Sequence, residues 1–147
     1  MSYYKYCRQK KLISNKKIFQ HLEKCNELFV PKLSDIVNII DYSNKIYINA
    51  ELFYYLYNKE IVALVACYLN NTDDYTGYIT NVSVLIEHQK KGLSKKLLNK
   101  CIDYAKSKKF REIVLQVNTD NIIAKKIYSD IGFVTIAGVE DKMKYIL

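Results

Sequence analysis

The residues best placed to do chemistry in this chain run from Val82 to Lys96: Val-Ser-Val-Leu-Ile-Glu-His-Gln-Lys-Lys-Gly-Leu-Ser-Lys-Lys. A strand pattern leads into a loop with one glycine, and the loop opens directly into a long amphipathic helix. The first turn of a helix leaves backbone N–H groups without partners inside the helix, and the helix dipole adds partial positive charge there. Such a mouth binds phosphate. Gly92 lets main chain approach a bulky anion closely, and Lys90, Lys91, Lys95 and Lys96 surround the same point with charge. On pattern alone the segment also fits an ordinary strand–loop–helix junction with a solvated lysine face.

Other reactive residues are sparse. Cys7, Cys25, Cys67 and Cys101 form no C-x-x-C pair and no metal knuckle, so no metal is expected and the thiols read as buried and free. His21 and His88 are the two histidines, and neither has an evident nucleophile beside it. The net charge is +8, yet among the 23 basic residues only Arg8 and Arg111 are arginine. A basic balance suits an anionic partner such as a phosphorylated cofactor. Arginine scarcity weighs against readout of base edges, and no nucleic-acid partner is expected.

These residues need a scaffold, and 147 residues suffice for one domain, here 1–147. The longest apolar run, Ile61 to Leu69, is too short to span a bilayer, so no membrane association is expected. The start, Met1 to Lys5, lacks the apolar core of a secretory signal, and a cytoplasmic location is expected.

Ser14 can cap a helix carrying Ile18, Leu22 and Cys25 on one side. Pro31 stops its continuation. Ser34 can cap a second helix with Ile36, Val37, Ile40 and Tyr47 inward. A short strand near Tyr4 to Arg8 is a weaker expectation. Glu51 to Tyr57, Ile61 to Leu69 and Tyr78 to Leu85 read as an antiparallel meander, with Asn58-Lys59 as a tight turn.

The rest alternates helix and strand. Gly92 to Lys109 is a helix with Leu93, Leu97, Leu98, Cys101, Ile102 and Ala105 on one stripe. Glu112 to Val117 is a central strand. Asn121 to Ile131 is a short helix, with Ile123, Ile127 and Ile131 as its core stripe and Gly132 as its C-terminal cap. Phe133 to Gly138 and Lys142 to Ile146 are the last strands. The fold class is α+β: a mixed, mostly antiparallel sheet of about six to seven strands flanked by about four helices.

Gln89-Lys90-Lys91-Gly92-Leu93-Ser94 resembles the Q/R-x-x-G-x-G/A signature of the GNAT superfamily of N-acetyltransferases. A second stretch, Leu115-Gln116-Val117-Asn118 through Asn121, Ala124, Ile127-Tyr128 and Gly132-Phe133, is similar to that family's L-E-V-x-x-x-N-x-x-A-x-x-L/I-Y-x-x-x-G-F. The two match in the family's order, over about Tyr78 to Val134.

The resemblance implies a GNAT-like fold and acetyl-CoA as acetyl donor. It implies that the backbone of Val82, Ser83 and Val84 pairs with the pantetheine arm. The turn Gln89, Lys90, Lys91, Gly92, Leu93, Ser94 and Lys95 would receive the pyrophosphate, the N–H groups from Lys90 onward cradling it. Asn121 would hydrogen-bond the cofactor, and Tyr128 would stand beside the sulfur as general acid. The acceptor would be an amine of a small molecule, an amino sugar being one candidate, or of a peptide, attacking directly in a ternary complex. The alternatives are a protein amine acceptor or a non-catalytic acetyl-CoA-binding module. The protein would be a monomer or homodimer.

Negative charge developing on the thioester oxygen can be met by a backbone N–H near Val84. Because a phenol is a weaker acid than a thiol, Tyr128 suits hydrogen-bond donation to the departing sulfur better than full proton transfer.

Two residues depart from the family. Ser94 replaces a glycine or alanine. Gln116 stands where many members have a glutamate that serves as base. Glu87, His88, Glu51 or a water chain held by Asn81 are candidate substitutes, and an acceptor amine of low pKa would need no strong base. Tyr54, Tyr55, Tyr57, Tyr68, Tyr75 and Tyr78 lie on or beside the meander, where some can line an acceptor pocket.

Overall fold

The computed structural model describes residues 3–147; Met1 and Ser2, part of the segment read for a signal, lie outside the described residues. Helix α1 spans Asn15–Cys25, and the Ser14 side chain accepts from the Lys17 N–H at its start. Ile18, His21, Leu22 and Cys25 form its buried side.

The helix expected from Ser34 is instead two pieces. One turn, α2, covers Leu33–Ile36; the chain then extends at Val37, and α3 runs Ile39–Asn49. Asn38 causes the restart, its side chain accepting from the Asp41 N–H at 3.0 Å. The phase shifts accordingly: Ile39 and Ile46 face inward, while Ile36 and Ile40 face water.

The strands are β1 (Lys5–Cys7), β2 (Glu51–Tyr57), β3 (Glu60–Tyr68), β4 (Thr76–Val84), β5 (Glu112–Gln116), β6 (Val134–Ile136) and β7 (Val139–Ile146). They form one sheet in the order β1-β2-β3-β4-β5-β7-β6. Asn58 and Lys59, both at positive φ, turn β2 into β3 with the twist a two-residue hairpin needs. All neighbours are antiparallel except β4 and β5. Such a parallel pair needs a crossover, supplied by α4 (Leu93–Ser107).

On α4 the buried residues are Leu93, Leu97, Leu98, Cys101, Ile102 and Ala105, as the periodicity predicts. Each leucine so buried contributes about 2 kcal/mol. Helix α5 (Ile122–Ile131) joins α4 in the larger core, where Phe53, Val65, Ile113, Leu115 and Phe133 lie. Helices α1 and α3 cover the other face over Leu52, Tyr54, Leu64 and Ala66. No described helix is long and apolar enough to cross a membrane.

One irregularity shapes the middle of the sheet. Ala66 pairs with Asn81 but Cys67 pairs with Ile79, so Thr80 is an extra residue on β4. The β4–β5 pairing starts at Thr76 opposite Glu112 and ends at Ile79 opposite Leu115, one residue before that bulge. A bulge bends its strand and increases local twist. Beyond Thr80, β4 therefore runs on from Asn81 to Val84 without β5, and a wedge opens between the two strands.

Candidate active site

The wedge has a main-chain wall. The Leu85 N–H donates to the Val62 carbonyl at 2.9 Å, so Leu85 turns its backbone toward β3. Alternation along an antiparallel pair then turns Ser83 the same way, and Val82 and Val84 toward the wedge. The Gln89 side chain agrees with this phase, its Nε2 donating to the Val84 carbonyl at 3.2 Å. Gln89 thereby ties the loop to the end of β4. Of the three strand residues expected to pair with pantetheine, Val82 and Val84 present backbone to the wedge, whereas Ser83 is engaged on its far side.

At the wedge's upper end lies the helix mouth. The first α4 bond runs from the Lys96 N–H to the Gly92 carbonyl at 3.1 Å, leaving the Leu93, Ser94 and Lys95 amides with no partner inside the helix. Gly92 has φ +74, a conformation that favours glycine, and nothing lies within 4 Å of where a Cβ would stand. The mouth faces open space.

Lys90 also has positive φ. The ammonium of Lys91 lies 5.6 Å from the Tyr4 ring centre. Lys95 reaches Asp130 on α5 at 3.3 Å, so its side chain braces the two helices while its amide stays at the mouth. His88 sits 2.8 Å from the Tyr4 hydroxyl, and its ring lies 5.0 Å from that of Tyr57. It anchors the loop to the β1 edge.

Helix α5 supplies two predicted site residues. Asn121 is its N-cap, accepting from the Ala124 N–H at 3.1 Å, which leaves the amide nitrogen of the side chain for other use. Tyr128 is 9% exposed, while Ile123 is 77% exposed. Of the expected stripe, Ile127 and Ile131 pack against the core and Ile123 does not; Tyr128 is the buried anchor of α5, packed edge-on against Phe133. Burial pushes the Tyr128 phenol up to about 12. Moving its proton wholly to a thiolate, whose conjugate acid lies near ~8.5, is uphill by about 5 kcal/mol. Tyr128 can donate a hydrogen bond and keep its proton.

Across the sheet, on the face of α1 and α3, a second set of polar groups meets the wedge. The Tyr42 hydroxyl reaches both the carbonyl and Oγ1 of Thr80, at 2.8 and 2.7 Å, and so pins the bulge to α3. Tyr68 and Tyr78 face each other across β3 and β4 on this side. The other tyrosines named from sequence are committed elsewhere. Tyr54 donates to the Gln9 carbonyl, Tyr55 and Tyr57 pack on Tyr4, and Tyr75 packs on Phe110.

Gln116, the last residue of β5, donates from Nε2 to Oδ2 of Asp141 at 3.0 Å. Among the candidate bases, Glu51 is paired with Arg8 at 2.9 Å on the β1–β2 edge. Glu87 is exposed in the loop. Asp141 is the residue that sequence reasoning missed.

A buried polar chain braces β4 from behind. His21 on α1 donates from Nδ1 to the Ile61 carbonyl at 2.9 Å, and its Nε2 lies 2.8 Å from Ser83 Oγ. Ser83 Oγ donates in turn to Asn81 Oδ1 at 2.7 Å. Burial lowers the His21 imidazole to about 4, so it is neutral at pH 7 and Nε2 is an acceptor. The Cys25 sulfur lies 3.8 Å from the same Nε2 and completes the chain on the α1 side. Asn81 is spent on this brace.

The wedge opened by the bulge thus ends at a helix mouth with three free amides, a layout suited to a phosphorylated ligand. Residues 16–133 match the model of the acetyltransferase (GNAT) family, and the chain belongs to that family. None of the curated proteins matches it by sequence. Solved structures of similar fold include a Pyrococcus horikoshii protein, 22% identical over 98% of both chains, with a TM-score of 0.77. An N-acetyltransferase of Staphylococcus aureus Mu50 is 16% identical over 99% of both, at 0.74. The yncA protein of Salmonella typhimurium, solved with acetyl-CoA, is 16% identical over 99% of this chain and 95% of its own, at 0.76.

Proposed function

We propose that this protein transfers acetyl from acetyl-CoA to a primary amine of a small molecule, in a ternary complex. The observation that carries the reading is the wedge that opens at the Thr80 bulge and leads down from the Gly92 helix mouth. The residues present fit the cosubstrate. The Leu93, Ser94 and Lys95 amides would hold pyrophosphate, with Lys90, Lys91 and Lys96 adding charge. The Val82 and Val84 backbones would line the pantetheine arm, and the Asn121 amide nitrogen can donate to it. When bound, acetyl-CoA supplies a carbonyl activated as a thioester.

The chain's own groups do the rest. An N–H from the wedge wall near Val84 meets charge on the carbonyl oxygen. Tyr128 gives a hydrogen bond at the leaving sulfur. The buried position of its ring keeps water away from that end.

A small acceptor is favoured over a peptide by one contact. Asn118, after β5, comes within 3.5 Å of the Val30 carbonyl, in the segment between α1 and α2. That bridge ties the segment after β5 to the segment between α1 and α2 and narrows the space left for an extended peptide. An amino sugar would meet the exposed Tyr78 and Gln116, and its amine is less basic than a lysine ammonium.

Calorimetry tests the first half: acetyl-CoA should bind with a dissociation constant in the micromolar range. Thiol release with glucosamine, spermidine, lysine methyl ester and an alanine peptide tests the second, with glucosamine expected to be fastest. Absence of acetyl-CoA binding overturns the reading, and preference for the peptide overturns the acceptor class.

A further inference from the structure

We propose that Asp141 is the catalytic carboxylate of the acceptor side, taking the proton that an incoming ammonium must lose. The inference rests on the acetyltransferase reading above and assigns the proton acceptor that Gln116 cannot be. Gln116 lies one residue past the last β4–β5 pair, at the floor of the wedge. Its amide has no proton affinity near neutral pH, but it holds a carboxylate oxygen at 3.0 Å.

The backbone fixes Asp141 there as well, its carbonyl accepting from the Val117 N–H at 2.8 Å. From β4, Tyr78 faces it. Burial raises the Tyr78 phenol, and the Asp141 charge pushes in the same direction. Glu140 and Lys142 flank it on β7.

Most of the chain's described acidic residues stand outside ion pairs, and what sets Asp141 apart is the Gln116 amide that orients it at the end of β5. Among the described residues the ion pairs engage Glu51, Glu60 and Asp130 but not Asp141. Asp141 has an amide to orient it and no cation to neutralise it. An acceptor ammonium supplies that missing countercharge, so the same group selects a cation and then deprotonates it.

The balance of the step is complete. One ammonium proton passes to the Asp141 carboxylate, and the freed nitrogen pair forms the C–N bond as the C–S bond breaks. The second nitrogen proton ends on the sulfur as thiol, and Asp141 returns its own proton to water. No oxidant or metal enters.

The test uses Asp141→Asn, with the panel amine that the wild type turns over fastest. The variant should lose roughly a hundredfold in kcat/KM. It should also lose the acid limb of the pH profile and bind the amine more weakly by calorimetry on the coenzyme A complex, with acetyl-CoA affinity unchanged. Adding Gln116→Glu to Asp141→Asn restores a carboxylate at the same place and should recover at least tenfold. Wild-type kinetics and pH profile in Asp141→Asn overturn the assignment, as does a parallel loss of acetyl-CoA affinity. If the wild type itself fails to bind acetyl-CoA, both this assignment and the underlying reading fall; normal binding with an indifferent variant sinks Asp141 alone.

Discussion

The two sides of the wedge are built from different materials. The α4 side presents main chain: helix-mouth amides, a left-handed Gly92, and the backbones of Val82 and Val84. The opposite side presents side chains drawn from α3, β4, β5 and β7, namely Tyr42, Tyr78, Gln116 and Asp141. Main-chain recognition tolerates almost any side chain provided the backbone shape holds. Side-chain recognition can change with each residue. One side can therefore keep a common donor while the other is free to choose its acceptor.

The largest expected effect strikes the main-chain side. Gly92→Glu places a carboxylate where the pyrophosphate would lie and adds strain at φ +74. Acetyl-CoA affinity should fall by roughly a thousandfold, about 4 kcal/mol. Gly92→Ala separates the causes. It carries the strain without charge, into space where no atom lies within 4 Å. It should cost about 1 kcal/mol of stability and little affinity. Calorimetry that finds normal affinity in Gly92→Glu would break the comparison at its root.

Next comes the brace that joins the two sides. The unfolded chain's His21 takes a proton below about 6.5, while in the folded protein burial delays this until about 4. The unfolded state therefore binds more protons in that window. Stability from this group is complete above about 6.5 and falls as pH drops toward 4, by about 3 kcal/mol in total. Urea unfolding at pH 7 and pH 4.5 should show a steeper loss in wild type than in His21→Gln. Equal losses would remove His21 from the balance.

What could be read from sequence follows the same division. The α4 stripe and the Gly92 mouth were legible because helical periodicity and a glycine beside lysines are local signals. The Thr80 bulge was not, since nothing in Tyr78-Ile79-Thr80-Asn81 marks which residue will be extra; the register against β3 decides it. Asp141 was invisible for a related reason. It lies 25 residues beyond Gln116, and only the β5–β7 pairing makes them neighbours. Ile123 misled because α5 covers the core with Tyr128, whose large ring outweighs an isoleucine at the exposed first turn. The Ser34 helix was misplaced because Ser34 and Asn38 are both cap-type residues within one turn of each other, and only Asn38 caps a helix; Ser34 lies inside the turn Leu33–Ile36 and bonds Asn26 instead.

Tyr128→Phe asks whether the two sides meet at one reacting bond. It removes a hydroxyl and leaves the packing against Phe133, so folding and acetyl-CoA affinity should hold. Turnover should fall about thirtyfold, with most of the change in kcat. Because burial keeps the phenol protonated to about 12, the basic limb of the rate profile should not move between wild type and variant. A basic limb that disappears in the variant would mean that Tyr128 itself titrates in the working range.

The smallest expected effect belongs to Gln116→Ala, and it sharpens the side-chain half most. Gln116 carries no proton, so its loss leaves the chemistry in place. What changes is the hold on Asp141, whose Oδ2 loses the amide at 3.0 Å while its backbone stays bonded to Val117. A neutral hydrogen bond to a carboxylate contributes about 1 to 2 kcal/mol, much of it returned by water at this exposed position. A fall in kcat/KM of about fivefold is expected, with acetyl-CoA affinity unchanged. Full wild-type activity would show that Asp141 is oriented by β7 alone. A loss as large as that of Asp141→Asn would show instead that the amide itself binds the acceptor.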